Sequence, residues 1–102
     1  MRYAIYKVGW NIVLSELRNG APVVSLLVDG DTPDTLDACI SALCGGDVPL
    51  GGRMFYGLDA AKIASRGDFA FEFSYIDGHP SVIKENFDVS DGIGVDWMSD
   101  AR

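Results

Sequence analysis

Apolar and polar positions alternate from the first residues of the chain. Tyr3, Ile5 and Lys7 fall on one side and Ala4, Tyr6 and Val8 on the other, in a run rich in β-branched and aromatic types, which predicts a strand over Arg2 to Val8. The period then changes. Trp10, Val13, Leu14 and Leu17 fall at i, i+3, i+4 and i+7 and Asn19-Gly20 follows as a stop, which predicts a helix, with Ile12-Val13 as part of a hairpin the alternative. Val23 to Val28 is apolar almost throughout and runs into Asp29-Gly30, the pattern of a strand covered on both faces and ended by a turn. A second helix is predicted next. Asp31 or Thr32 caps it, Pro33 takes the first helical position, Asp34 sits in the first turn, Leu36, Ile40 and Leu43 form its apolar stripe, and Gly45-Gly46 ends it.

From Gly45 to Gly57, five glycines and Pro49 predict a loop. Leu58 to Ser65 reads as a short helix with Ala60, Ala61 and Ile63 inside. The clearest strand follows, with Phe69, Phe71, Phe73 and Tyr75 alternating against Ala70, Glu72, Ser74 and Ile76, so that four aromatic residues share one face. Asp77-Gly78-His79-Pro80 is a turn, and Ser81 to Val89 is its returning strand, with Ile83, Phe87 and Val89 on one side. In the tail, Ile93, Val95, Trp97 and Met98 lie among acids and suggest a short third strand. Strands and helices that do not alternate strictly, and that end in a hairpin, imply an α+β fold: a mainly antiparallel sheet with two or three helices packed on one face.

At 102 residues the chain is expected to be a single domain, residues 1–102. Its hydrophobic content of 48% argues for a packed core despite a net charge of -7. The N-terminal residues lack a long apolar run, no window suits a membrane span, and Cys39 and Cys44 fall on different sides of a helix, so free thiols in a cytoplasmic protein are expected.

The negative charge is unevenly placed. No basic residue occurs between Arg18 and Arg53, where Asp29, Asp31, Asp34, Asp37 and Asp47 lie. None occurs between Lys84 and Arg102, where Glu85, Asp88, Asp91, Asp96 and Asp100 lie. These two blocks hold ten of the fifteen acids, while the remainder of the chain is net positive. Like charges held together raise the free energy of the compact state, so the blocks point to solubility or to a partner. Part of the first block has local work: Asp31 and Asp34 favour a helix start, and Asp-Gly pairs are ordinary turns. The second block, with Trp97 between Asp96 and Asp100, is the stronger interface candidate, because tryptophan is enriched at interface centres.

Several chemistries are not encoded. The lone histidine, His79, has no partner in sequence, and the cysteine spacing fits no zinc site. An EF-hand reading of Asp29 to Ile40 fails at Pro33, Asp34 and Ile40, and neither Gly51-Gly52-Arg53 nor Gly92-Ile93-Gly94 forms a phosphate loop. The aromatic strand lacks the Lys and Arg of a nucleic-acid platform, and a sequence pI near 4.3 opposes direct binding of nucleic acid. No catalytic residue, metal or cofactor is expected, nor a membrane partner.

An acidic α+β chain of this size, with charge segregated into the Asp29–Asp47 and Glu85–Asp100 blocks and no motif around His79, Cys39 or Cys44, resembles the immunity proteins of bacterial polymorphic-toxin systems, including contact-dependent growth inhibition. The resemblance is one of whole-chain character and carries over no residue role. It implies a basic protein toxin as partner, often a nuclease, whose active-site cleft or nearby exosite the acidic surface covers, and a chain that is a monomer or weak dimer when free. The competing expectations are a phage-type nucleic-acid mimic, a small enzyme using carboxylates in a cleft, and a regulator that dimerises through the free edge of the hairpin.

Overall fold

Two-residue turns set the architecture. In the computed structural model, which describes residues 1–31, 33–99 and 101, β1 (Arg2–Val8) turns at Gly9-Trp10 into β2 (Asn11–Arg18). A second turn at Asn19-Gly20 leads into β3 (Ala21–Asp29). Gly9 supplies the positive φ that the first position of a type II′ turn requires. Asn19 and Gly20 have φ of 53° and 79°, the type I′ pattern whose twist matches that of the flanking strands. The helix expected over residues 10–17 is therefore a strand. Its segment is covered on both sides of the sheet, so it is apolar at successive positions and satisfies a 3.6-residue period by accident. Asn19-Gly20 is a hairpin turn rather than a helix stop.

After α1 (Leu36–Leu43), the short strand β4 (Arg53–Tyr56) pairs with β3. Helix α2 (Leu58–Ser65) then carries the chain across the sheet to β5 (Asp68–Ile76), which pairs with β1. Asp77-Gly78, again with both φ positive, returns it as β6 (His79–Glu85). The six strands are antiparallel in the order β4-β3-β2-β1-β5-β6. The α+β class and the antiparallel sheet with helices packed on it stand as expected.

Strand parity divides the helices between the sheet's two faces. Tyr3, Ile5, Leu14, Leu26 and Phe73 line the first face, under Cys39, Ile40 and Leu43 of α1. Ala4, Val13, Ser15 and Ser25 line the second, where Ser25 Oγ donates to the Ala60 carbonyl of α2 at 3.0 Å. The helices thus do not share one face. Each fully buried Leu, Ile or Phe on the first face contributes roughly 1.5–3 kcal/mol, so that side is the main core. Val23 to Val28 is indeed covered on both sides.

Five further expectations are corrected. Helix α1 begins at Leu36, where Thr35 Oγ1 accepts from Ala38 N at 3.2 Å; Pro33 and Asp34 precede the helix, Asp31 does not cap it, and Thr32 lies outside the described residues. Its end is as expected: Gly46 N donates to Ser41 O and Gly45 N to Ala42 O, a Schellman closure with Gly45 at a φ of 98°. The Gly45–Gly57 stretch contains β4. The register of β5 against β1 shifts between Ile5 and Tyr6, so Phe69 joins Tyr6 on the second face, with ring centroids 6.0 Å apart, and only Phe71, Phe73 and Tyr75 share the first. Finally, the returning strand stops at Glu85, and Phe87–Ser90 forms one helical turn, α3. The tail adds no strand among the described residues; it crosses the first face, where Ile93, Val95, Trp97 and Met98 pack on the core. No helix among the described residues is long and apolar enough to cross a membrane.

Candidate functional site

The loop from β3 to α1, the β5–β6 turn and the tail meet at one end of the sheet. Between them lies an open cleft of about 640 Å³, within the size range of ligand pockets. Asp31 and Asp34 come from the loop, Asp37 from the first turn of α1, and Asp96 and Trp97 from the tail. Tyr75, at the end of β5, and His79 and Pro80, at the start of β6, complete the wall. Residues from both acidic blocks, some sixty positions apart in sequence, therefore share one concavity. Among the described residues, no Lys or Arg lines it.

Two hydrogen bonds fix the aromatic walls. Trp97 Nε1 donates to the Asp34 carbonyl oxygen at 3.1 Å, which ties the tail to the β3–α1 loop. Tyr75 Oη donates to Asp37 Oδ1 at 2.8 Å, which ties β5 to α1. Desolvation, then the hydrogen bond to Asp37 and its negative charge, pushes the Tyr75 phenol up to about 12. At neutral pH that phenol is a proton donor with a fixed acceptor. Trp97 has two roles at once, since its ring is half-buried against the core and also forms part of the cleft wall.

The remaining candidate residues lie elsewhere. Asp29 ends β3 and its Oδ1 accepts from Asp31 N at 2.8 Å, the turn chemistry of an Asx pair. Glu85 is half-buried and accepts from Ser90 Oγ at 2.6 Å, closing the turn of α3. Asp88 and Asp91 are exposed on and just after α3, with Asp88 beside Lys7 and Asp68. Asp100 lies outside the described residues. The cleft thus gathers Asp31, Asp34, Asp37, Asp96 and Trp97, and draws more on the first block than on the second.

Sequence reasoning passed over three residues at this end. Tyr75 reads as core by period alone, although its position beside the hairpin turn places the hydroxyl at the cleft. Trp10 reads as the start of a helix stripe, yet it is 88% exposed at the tip of the β1–β2 turn. Leu50, in the loop before β4, is also fully exposed. Both flank the cleft: Trp10 shares a small hollow of about 140 Å³ with Asp31 and Gly94, and Leu50 a larger one of about 570 Å³ with Pro33 and Asp34. The Trp10 turn is held in place, because its carbonyl accepts from Gly30 N at 3.0 Å. The cleft carboxylates do not close on a single point, and among the described residues no group of three His, Cys, Asp or Glu side chains is placed to hold a metal ion.

Comparison of the chain with protein-family models, with curated proteins and with solved structures found no match.

Proposed function

We propose that this protein binds and neutralises a basic partner protein, and more narrowly that it is a cytoplasmic immunity protein blocking a toxic nuclease. The observation that carries the reading is the convergence of Asp31, Asp34, Asp37 and Asp96 on one cleft with no Lys or Arg in its lining among the described residues. An uncompensated acidic concavity attracts a basic surface, accelerates encounter and fixes its register. Trp10 on the flank supplies an exposed aromatic anchor of the kind that dominates interface energies, and Leu50 adds exposed apolar surface. Self-association through this end is opposed by the same carboxylates, which it would bring face to face.

The competing readings have less support. A nucleic-acid mimic needs a convex row of charges that a groove can grip, and here the acids surround a hollow. An enzyme using carboxylates needs proton-transferring groups joined to one another at a reacting centre. Tyr75, hydrogen-bonded to Asp37 and pushed to about 12, is a positioned donor, and among the described residues no hydrogen bond joins it or Asp37 to the His79 side chain across the cleft.

The test is expression of the product of the neighbouring gene with and without this chain, followed by binding kinetics at low and high salt. Rescue from toxicity, tight binding and an on-rate that falls with salt are expected, as is at least tenfold weaker binding by Trp10→Ala, in line with about 2 kcal/mol for a tryptophan hot spot. A neighbouring product that is harmless, or that is toxic but neither bound nor restrained, removes the proposal.

A further inference from the structure

The cleft is more selective than an acidic surface. Four carboxylates surround it, so an anion is repelled, and Thr35 already occupies Ala38 N at the α1 N-terminus, where an anion would otherwise be held. The carboxylates are spread around the wall instead of gathered on a point, which disfavours a metal ion. Between them stand two aromatic side chains, Tyr75 and Trp97, each fixed by a hydrogen bond to the segment that also carries a carboxylate. Those bonds use the Asp34 main-chain oxygen and a single oxygen of Asp37, so the charge of both side chains remains available to a ligand.

We propose that this cleft is a guanidinium site, which takes an arginine side chain presented by the partner; this rests on the partner-binding reading above. A guanidinium is planar, weakly hydrated and permanently charged, with five donors. It can stack on an aromatic wall while its edges reach separate carboxylates. A lysine ammonium is a compact, strongly hydrated point charge and matches one carboxylate at a time. The volume of about 640 Å³ admits the side chain together with flanking main chain. Trp97 and Asp34 are joined directly, and Tyr75 and Asp37 likewise, so binding does not have to order the site first.

The chain contains two tryptophans, Trp10 and Trp97, of which one lines the cleft, so its two indole N–H signals form a built-in comparison. The experiment titrates the ¹⁵N-labelled full chain with an acetylated, amidated Gly-Arg-Gly peptide, and with its lysine and citrulline counterparts at matched ionic strength. The arginine peptide is expected to shift the Trp97 indole signal saturably and the Trp10 signal little. The lysine peptide should bind several-fold more weakly, and the neutral citrulline peptide should give no saturable shift. Asp34→Asn with Asp37→Asn removes two charges but keeps an oxygen for Tyr75 and the main-chain acceptor for Trp97. That variant should bind the arginine peptide about tenfold more weakly, a few-fold per exposed pair, whereas Asp88→Asn should not change it. The absence of a saturable Trp97 shift, equal responses to arginine, lysine and citrulline, or an unaffected Asp34/Asp37 variant overturns the site. A chain that binds the arginine peptide but not the neighbouring gene product keeps the site and loses the immunity reading; the opposite result loses the site alone.

Discussion

Gly30 is the point where the β1–β2 turn rests on the segment that carries Asp31 and Asp34, and it tests whether that end of the molecule is rigid. A Cβ added there would lie 2.5 Å from the Trp10 carbonyl oxygen, a main-chain atom that cannot rotate away. The same two residues share the hydrogen bond from Gly30 N to Trp10 O, at 3.0 Å. In Gly30→Ala the strands must separate. Overpacking of this kind costs about 1–3 kcal/mol and the lost hydrogen bond about 0.5–1.5 kcal/mol, together roughly 2–4 kcal/mol. For a domain of this size that lowers Tm by about 8–16 °C, at about 4 °C per kcal/mol. Thermal and urea unfolding followed by circular dichroism measure it. Gly94→Ala is the control, because its nearest neighbour, the Gly30 carbonyl oxygen, lies 3.8 Å from the added Cβ; it should stay within about 0.5 kcal/mol of the parent. If Gly30→Ala melts with Gly94→Ala, the turn does not rest on Gly30, and the fixed placement of Trp10 beside the cleft is refuted.

Other outcomes follow from buried and titrating groups. Ser25 Oγ gives its one proton to Ala60 O, so Ser15 Oγ must donate across the 2.7 Å contact to Ser25; both residues are fully buried. Ser25→Ala leaves the Ser15 hydroxyl without a partner and should cost about 1–3 kcal/mol in urea unfolding, while Ser15→Ala with Ser25→Ala should cost less than the two single changes added together. Additive costs would mean that the hydroxyls do not interact. Above pH 10 the unfolded chain releases the Tyr75 proton while the native chain holds it to about 12, so stability should fall as pH rises through that window. Tyr75→Phe should flatten the fall, with Tyr3 and Tyr6, also raised by burial, supplying what remains; an unchanged slope in pH-dependent urea unfolding contradicts the assignment. Burial pushes the Cys39 thiol up to about 11, and Cys44 is exposed, so a colorimetric disulfide reagent at pH 8 should titrate one thiol in the native chain and two after unfolding. Two fast thiols in the native chain would show that α1 is not seated as described.

Local signals were legible wherever one residue type has one structural use. Asp77-Gly78 is a type I′ turn, Gly45-Gly46 closes α1, and the alternation of β1 survives intact, because each depends on φ or side-chain direction within a few residues. Asn19-Gly20 was equally local but has two uses, a helix stop and a hairpin turn, and the neighbouring apolar run could not choose between them. The strand β2 needed tertiary knowledge: only its place between β1 and β3, with α1 over one face and α2 over the other, explains why both sides of Ile12 to Ser15 are buried. The bulge opposite Ile5 and Tyr6 moved Phe69 to the other face without leaving a mark in the period of β5. Thr35 displaced Asp31 as the cap because both are good capping types, and packing of Leu36 on the core set the phase of α1.

The sequence by itself determined the class of fold, the β5–β6 hairpin turn, the bounds of β1, α2 and β5 and the segregation of acids into two blocks, all of which depend on residues near one another in the chain. Only the tertiary structure decided which acids belong together. Pairing of β5 with β1 and passage of the tail over the first face carry Tyr75, His79, Asp96 and Trp97 to Asp31, Asp34 and Asp37, while Glu85 and Asp29 are held in local hydrogen bonds. Charge in a sequence has sign and spacing but no direction, and the fold supplies the direction by placing distant segments on one concave end.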